Sequence, residues 1–248
     1  MADSIWDLRS VRFSAFTADL DIIPLEEWWT QITGANPTDI SNKPQQLEYN
    51  VVGEYENLLF GISRKGNKID FIANSKEVGK DNQPREWGIY ADGSKLMGSI
   101  VKKWSKLKSL PSITRIAHGA RLTQYVESFE EGHKVLGNYI SDLQLDLQKV
   151  KDFNFQINRP RDSKSYGTDL VINRFNKWSL IENISFEIEA AASGVAKNTH
   201  LTIYKCQLDL DINSKFNVKR KISKSKIHAL FEEFLDLGLE TVREGDKP

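Results

Sequence analysis

The chain has 248 residues, enough for one large domain or two lobes, and its 40% hydrophobic content with 6 Trp and 12 Phe supplies a real core and excludes a disordered chain. Basic and acidic side chains both number 34, so the zero net charge disfavours a general polyanion binder while leaving room for a local basic patch. A single cysteine, Cys206, excludes an internal disulfide and suits a reducing compartment.

The start, Met1-Ala-Asp-Ser-Ile-Trp-Asp-Leu-Arg9, lacks the basic opening and apolar run of a signal peptide. No apolar stretch approaches the roughly 20 residues needed to span a bilayer. The expectation is a cytoplasmic protein with no membrane association.

In chain order, residues 10–17 read as a strand. Pro24 opens a helix with Leu25, Trp28, Trp29 and Ile32 at helical spacing, and Gly34 closes it. Residues 45–74 predict three strands, alternating through Leu47, Tyr49 and Val51, then Leu58, Phe60 and Ile62, then Ile69, Phe71 and Ala73. Gly66-Asn67 marks a tight turn between the last two. A polar loop over 75–85 precedes a second helix, about 93–107, with Met97, Ile100, Val101 and Trp104 on one face.

A strand over 112–126 follows, and Ser128 with Glu131 has the capping-box spacing for a helix through Leu136 and Ile140. Phe153, Phe155 and Ile157 alternate, residues 170–175 and 180–190 read as extended, and 159–167 and 191–198 read as polar loops. The clearest signal is last: a strand over 200–213 with Tyr204, Cys206, Leu208, Leu210 and Ile212 on one face. A basic turn then leads to an amphipathic helix over 225–242. Cys206, on the apolar face of that strand, reads as a small buried hydrophobe.

Strands grouped in runs with helices between them predict an α+β fold, antiparallel sheets with helices packed on one face. The element order runs strand, helix, strands, helix and then repeats. This suggests two similar halves, 1–110 and 111–248, divided at Pro111-Ser112.

No reaction is named by any motif, and neither glycine fingerprint nor a serine-nucleophile elbow is present. His118, His133, His200 and His228 have no ligand spacing, so no metal or cofactor is expected. One acidic constellation stands out. Glu187 and Glu189 on one strand and Asp209 and Asp211 on another would form a metal site for a nuclease or hydrolase if the strands were in register. The plainer reading is the wet face of a one-sided sheet.

Residues 215–226 hold Lys215, Lys219, Arg220, Lys221, Lys224 and Lys226 with no acid between them, and Lys102, Lys103, Lys106 and Lys108 surround Trp104. Such clusters suit a phosphate backbone, with Trp104 for stacking, although lysine-rich turns are also ordinary surface. Trp28 and Trp29 point about 100° apart on a helix. Either one anchors a protein partner or a wide apolar stripe absorbs both.

The stretch Leu208-Asp-Leu-Asp-Ile212, a spacer, then Ile227-His-Ala-Leu-Phe-Glu232 resembles the carboxy-terminal end of a sporadically distributed bacterial family of about 250-residue proteins with no assigned function. Thr241 and Arg243 match its Thr-bearing tail. Ile113 to Leu122 resembles its central strand, without the family's Arg-Tyr-x-Asn core intact. The resemblance covers about half the chain and implies a bacterial, cytoplasmic α+β protein. Sporadic occurrence suggests a mobile or phage-defence context, and no active site carries over. The leading expectation is a non-enzymatic interaction or scaffold subunit with a protein partner or a homo-oligomer. A nucleic-acid binder is the alternative.

Overall fold

The computed structural model describes residues 6–18, 24–79, 83–140, 153–190, 196–217 and 221–246, with the backbone alone for 185–190 and 196–201. In chain order they form β1 (Asp7–Thr17), α1 (Leu25–Thr33), β2 (Asp39–Lys43), β3 (Glu48–Tyr55), β4 (Leu58–Lys65), β5 (Lys68–Ser75), α2 (Tyr90–Trp104) and β6 (Ile113–Val126). Then come α3 (Phe129–Gly137), β7 (Asn154–Asn158), β8 (Arg161–Ser163), β9 (Gly167–Ala190), β10 (Ala196–Ser214) and α4 (Lys224–Glu244).

One 10-stranded sheet runs β2-β3-β4-β5-β1-β6-β10-β9-β7, with β8 beside β9. Every described pairing is antiparallel. The α+β class expected from the grouped strands is therefore correct. The 110/111 division falls between α2 and β6, and the sheet continues across it through the pairing of β1 with β6, from Asp7↔Thr123 to Thr17↔Ile113.

Alternation in the sequence explains the layers. Val11, Phe13 and Ala15 of β1, Ile116 and Leu122 of β6, and Cys206, Leu208, Leu210 and Ile212 of β10 are buried on one face. All four described α-helices cover that face. Trp29 of α1 stacks on Phe60 of β4, Trp104 of α2 and Phe231 of α4 pack on Phe13, and Phe129 of α3 meets Tyr204 of β10. None of them is long and apolar enough to cross a membrane.

Local chemistry sets the boundaries. Gly34 ends α1 with φ 79°, Ser128 Oγ accepts from Glu131 N at the start of α3, and Gly66-Asn67 closes a two-residue turn with φ 59° at Gly66. The structure corrects several expectations: Leu47, expected to alternate in the first of three strands, is exposed with φ 50° ahead of β3, and 196–198, expected in a polar loop, belong to β10. β2 has no sequence signal, because Asp39-Ile-Ser-Asn-Lys43 does not alternate and lies exposed at the sheet edge. The segment 161–163, expected in a polar loop, pairs with β9. The two extended pieces at 170–175 and 180–190 are one strand of 24 residues. Asn176 interrupts the apolar pattern in its middle, but that side chain is buried near Thr241 of α4, with Nδ2 at 3.5 Å from Oγ1.

Candidate functional site

The three tryptophans singled out in the sequence all lie in the core. Trp28 and Trp29 are 0% and 1% exposed, so the wide stripe of α1 absorbs both and neither is available as a partner anchor. Trp28 Nε1 donates to Ser109 Oγ at 2.9 Å. Trp104 is 0% exposed, with ring centroids 5.2 Å from Phe13, 5.4 Å from Phe71 and 5.7 Å from Trp28. A ring so enclosed cannot stack on a base, which corrects the stacking role expected for it.

The four carboxylates do not assemble. On β9 and β10, Asp209 lies opposite Lys177 and Asp211 opposite Phe175, whereas Glu187 lies opposite Thr199 and Glu189 opposite Lys197. Glu187 is thus ten positions further along β9 than Lys177, roughly 33 Å at strand rise. One ion cannot bridge that span. Asp209 instead accepts from Arg121 Nε at 2.8 Å across the strand pair. Among the described residues no group of three His, Cys, Asp or Glu gathers.

The basic residues do assemble, in a way the linear sequence hides. Ile222 N donates to Ile113 O at 2.7 Å, which ties the turn before α4 to the start of β6. Lys224 Nζ donates to Leu107 O just beyond α2. The two basic clusters therefore meet at one end of the molecule. Lys106, Lys108, Lys215, Lys221, Lys224 and Lys226 are all exposed there, while Lys219 and Arg220 lie outside the described residues. Lys226 sits 4.5 Å above the ring of Tyr166, and Arg115 sits 4.9 Å above Phe16. Lys103 has a different job. Its ammonium donates to Ile32 O at 2.7 Å and Tyr55 Oη at 3.0 Å, joining α2 to α1 and β3. Phe216 is 58% exposed beside Lys215, and as one aromatic in a basic turn it carries no periodic signal in the sequence.

Elsewhere polar groups are structural. On the helix-free face Arg12 lies flat across Gly119 of β6, where an added Cβ would come within 3.1 Å of its Nη2. Glu86 accepts from Arg9, Thr123 and Tyr125. Burial alone would raise its pKa, but those hydrogen bonds and the Arg9 charge hold it below the usual range. Cys206 is buried as expected, and burial pushes its thiol up to about 12, so it stays protonated. A groove of about 580 Å³ between α2 and α4 holds Lys95, Lys102, Asp236 and the His228–Glu232 pair, with His228 Nε2 and Glu232 Oε1 at 3.1 Å.

His118 is a fully buried titratable group, 0% exposed on the core face of β6. Its Nε2 shares a 2.8 Å hydrogen bond with Tyr90 Oη, which also donates to Leu235 O of α4. Burial, with a lesser contribution from the Arg12 charge, outweighs an opposing backbone hydrogen bond with Arg12 and lowers its pKa to about 3. The unfolded chain therefore binds a proton that the folded chain refuses between the ordinary value of 6.5 and about 3. Stability from His118 should be complete above pH 6.5 and fall by up to about 1.4 kcal/mol per pH unit as acid is added through that window. Denaturant titrations at pH 7, 5.5 and 4.5 should show this slope reduced in His118→Phe; an equal slope in both proteins would assign the acid sensitivity elsewhere.

No protein-family model, curated protein or solved structure matches the chain.

Proposed function

We propose that the protein is a non-enzymatic interaction subunit of a bacterial multi-protein system, of the kind that phage-defence assemblies use. The observation that carries this reading is the ribbon formed by β9 and β10. Pairing of β10 with β6 ends at Tyr204↔Val126, and pairing of β9 with β7 ends at Ser179↔Asn154. Beyond those points, residues 183–190 and 196–203 pair only with each other among the described strands.

A two-stranded ribbon is marginally stable in water. Among the described residues no strand flanks either outer edge of this ribbon, and such edges are the template used for adding a strand from a partner chain. Ile184 at its base is 54% exposed. The ribbon thus replaces Trp28 and Trp29 as the partner-binding element, and a second copy or a host protein supplies the added strand. The resemblance of the final strand and helix to the sporadic bacterial family supports the context. We also infer that the halves arose by duplication, a reading supported by the matching pairs β1–β5 and β6–β10 around the central β1–β6 contact.

The test is to replace residues 183–203 with Asn-Gly, which joins the paired Glu182 and Tyr204 through a two-residue turn. Light scattering on the unmodified 28.3 kDa chain should show more than one copy, or a stoichiometric partner after purification from its native host. The shortened chain should be a folded monomer that retains neither. An unmodified chain that is strictly monomeric and partner-free would defeat the reading.

A further inference from the structure

We propose that the end of the molecule where α2 gives way to β6 and the turn before α4 docks is a binding site for single-stranded nucleic acid. Two stretches of the chain contain no Asp or Glu at all, residues 93–126 and residues 212–231. They are far apart in sequence, yet Ile222 N→Ile113 O at 2.7 Å and Lys224 Nζ→Leu107 O place them side by side. The chain is neutral overall, so this juxtaposition concentrates positive charge at one end.

The cations there are free to act. Lys106, Lys108, Lys215 and Lys221 are exposed, and among the described residues none has a carboxylate within 4.0 Å. By contrast, Lys43, Lys68 and Lys76 each have an acidic partner. The first turn of α4 also holds no acid, so Lys224 and Lys226 face the positive end of its dipole, an arrangement that an arriving phosphate relieves.

One exposed aromatic ring sets the choice of single strands. Phe216 is 58% exposed beside Lys215, and the half-buried Phe16 lies under Arg115 at 4.9 Å on the helix-free face. Of the two, Phe216 is the one left open, and an accessible ring among cations is what unpaired bases stack on, whereas a duplex hides its base faces. Lysines supply the phosphate contacts and Phe216 the base contact.

The experiment is fluorescence anisotropy with a labelled 20-nucleotide oligothymidylate across a salt series. Binding should weaken linearly on a log–log plot against salt. Lys106→Ala/Lys108→Ala/Lys215→Ala/Lys221→Ala should reduce the slope by roughly 3, at about 0.7 for each phosphate no longer neutralised. Phe216→Ala should lower affinity on the order of tenfold for the single strand and leave a matched duplex unchanged. Lys43→Ala/Lys76→Ala, which removes paired lysines elsewhere, should bind normally, and all variants should melt near the parent temperature. No binding at about 20 mM salt, an unchanged slope in the quadruple variant, or binding to phosphatidylserine vesicles in place of the oligonucleotide would each overturn the proposal.

Discussion

Trp104→Ala should lower stability by about 4 kcal/mol, the upper range for deleting a fully buried aromatic side chain. At 2–4 °C per kcal/mol for a chain of this size, the melting temperature should drop by roughly 12 °C. The magnitude follows from position. Trp104 sits where α1, α2 and the sheet converge, and its ring contacts Trp28, Phe13 and Phe71 at once. Removing it leaves a cavity that three rigid rings cannot close. Trp104→Phe should recover more than half of the loss, because the edge-to-face contacts persist while only volume is missing. Thermal melts of the two variants give the comparison. Trp104→Phe should bind oligothymidylate as the parent does; a specific loss of affinity at unchanged stability would return the stacking role to this residue.

The burial of Trp104 illustrates which features the sequence exposes. Strands that alternate apolar and polar, such as 204–212, declare both their type and their buried face, because one side of the sheet faces helices and the other faces solvent. Capping and turn chemistry at Gly34, Gly66 and Ser128 is equally local, so it is readable without tertiary knowledge. Whatever depends on register is not. Glu187 and Asp209 share a pattern but sit ten positions apart along the ribbon, and only the hairpin length decides this. Asn176 in the middle of β9 is buried near Thr241 of α4, a neighbour that the local pattern does not show. The basic end is the sharpest case. Its two halves are each visible as lysine clusters, but their meeting rests on a backbone hydrogen bond between residues 113 and 222.

Glu233 is a residue that no sequence pattern marks, yet its replacement should rank beside Trp104 in cost. It is a carboxylate on α4, 9% exposed, and it organises the loop between β8 and β9. Oε1 accepts from Lys164 N at 2.7 Å and from Arg161 Nη2 at 3.2 Å. Oε2 accepts from Ser163 Oγ at 2.8 Å, Ser165 Oγ at 2.9 Å and Ser165 N at 3.1 Å. Burial alone would raise its pKa, but these donors outweigh it and hold the carboxyl below the usual value of 4.5. Glu233→Ala leaves buried donors unpaired and should cost about 3 kcal/mol. Glu233→Gln turns an amide N–H₂ toward donors and should recover little of that.

The loop it holds also carries Tyr166, whose hydroxyl accepts from Ser223 N at 2.8 Å and whose ring supports Lys226. Loosening it should therefore weaken oligonucleotide binding as well. The pH dependence separates charge from packing. Because the folded pKa lies below the unfolded one, the contribution of the carboxylate is complete above the ordinary 4.5 and disappears as pH falls through the folded value. The stability gap between the parent and Glu233→Gln, measured by denaturant titration, should be full at pH 7 and smaller at pH 3. A gap of equal size at both would mean that shape, and not the ionised carboxylate, holds the loop.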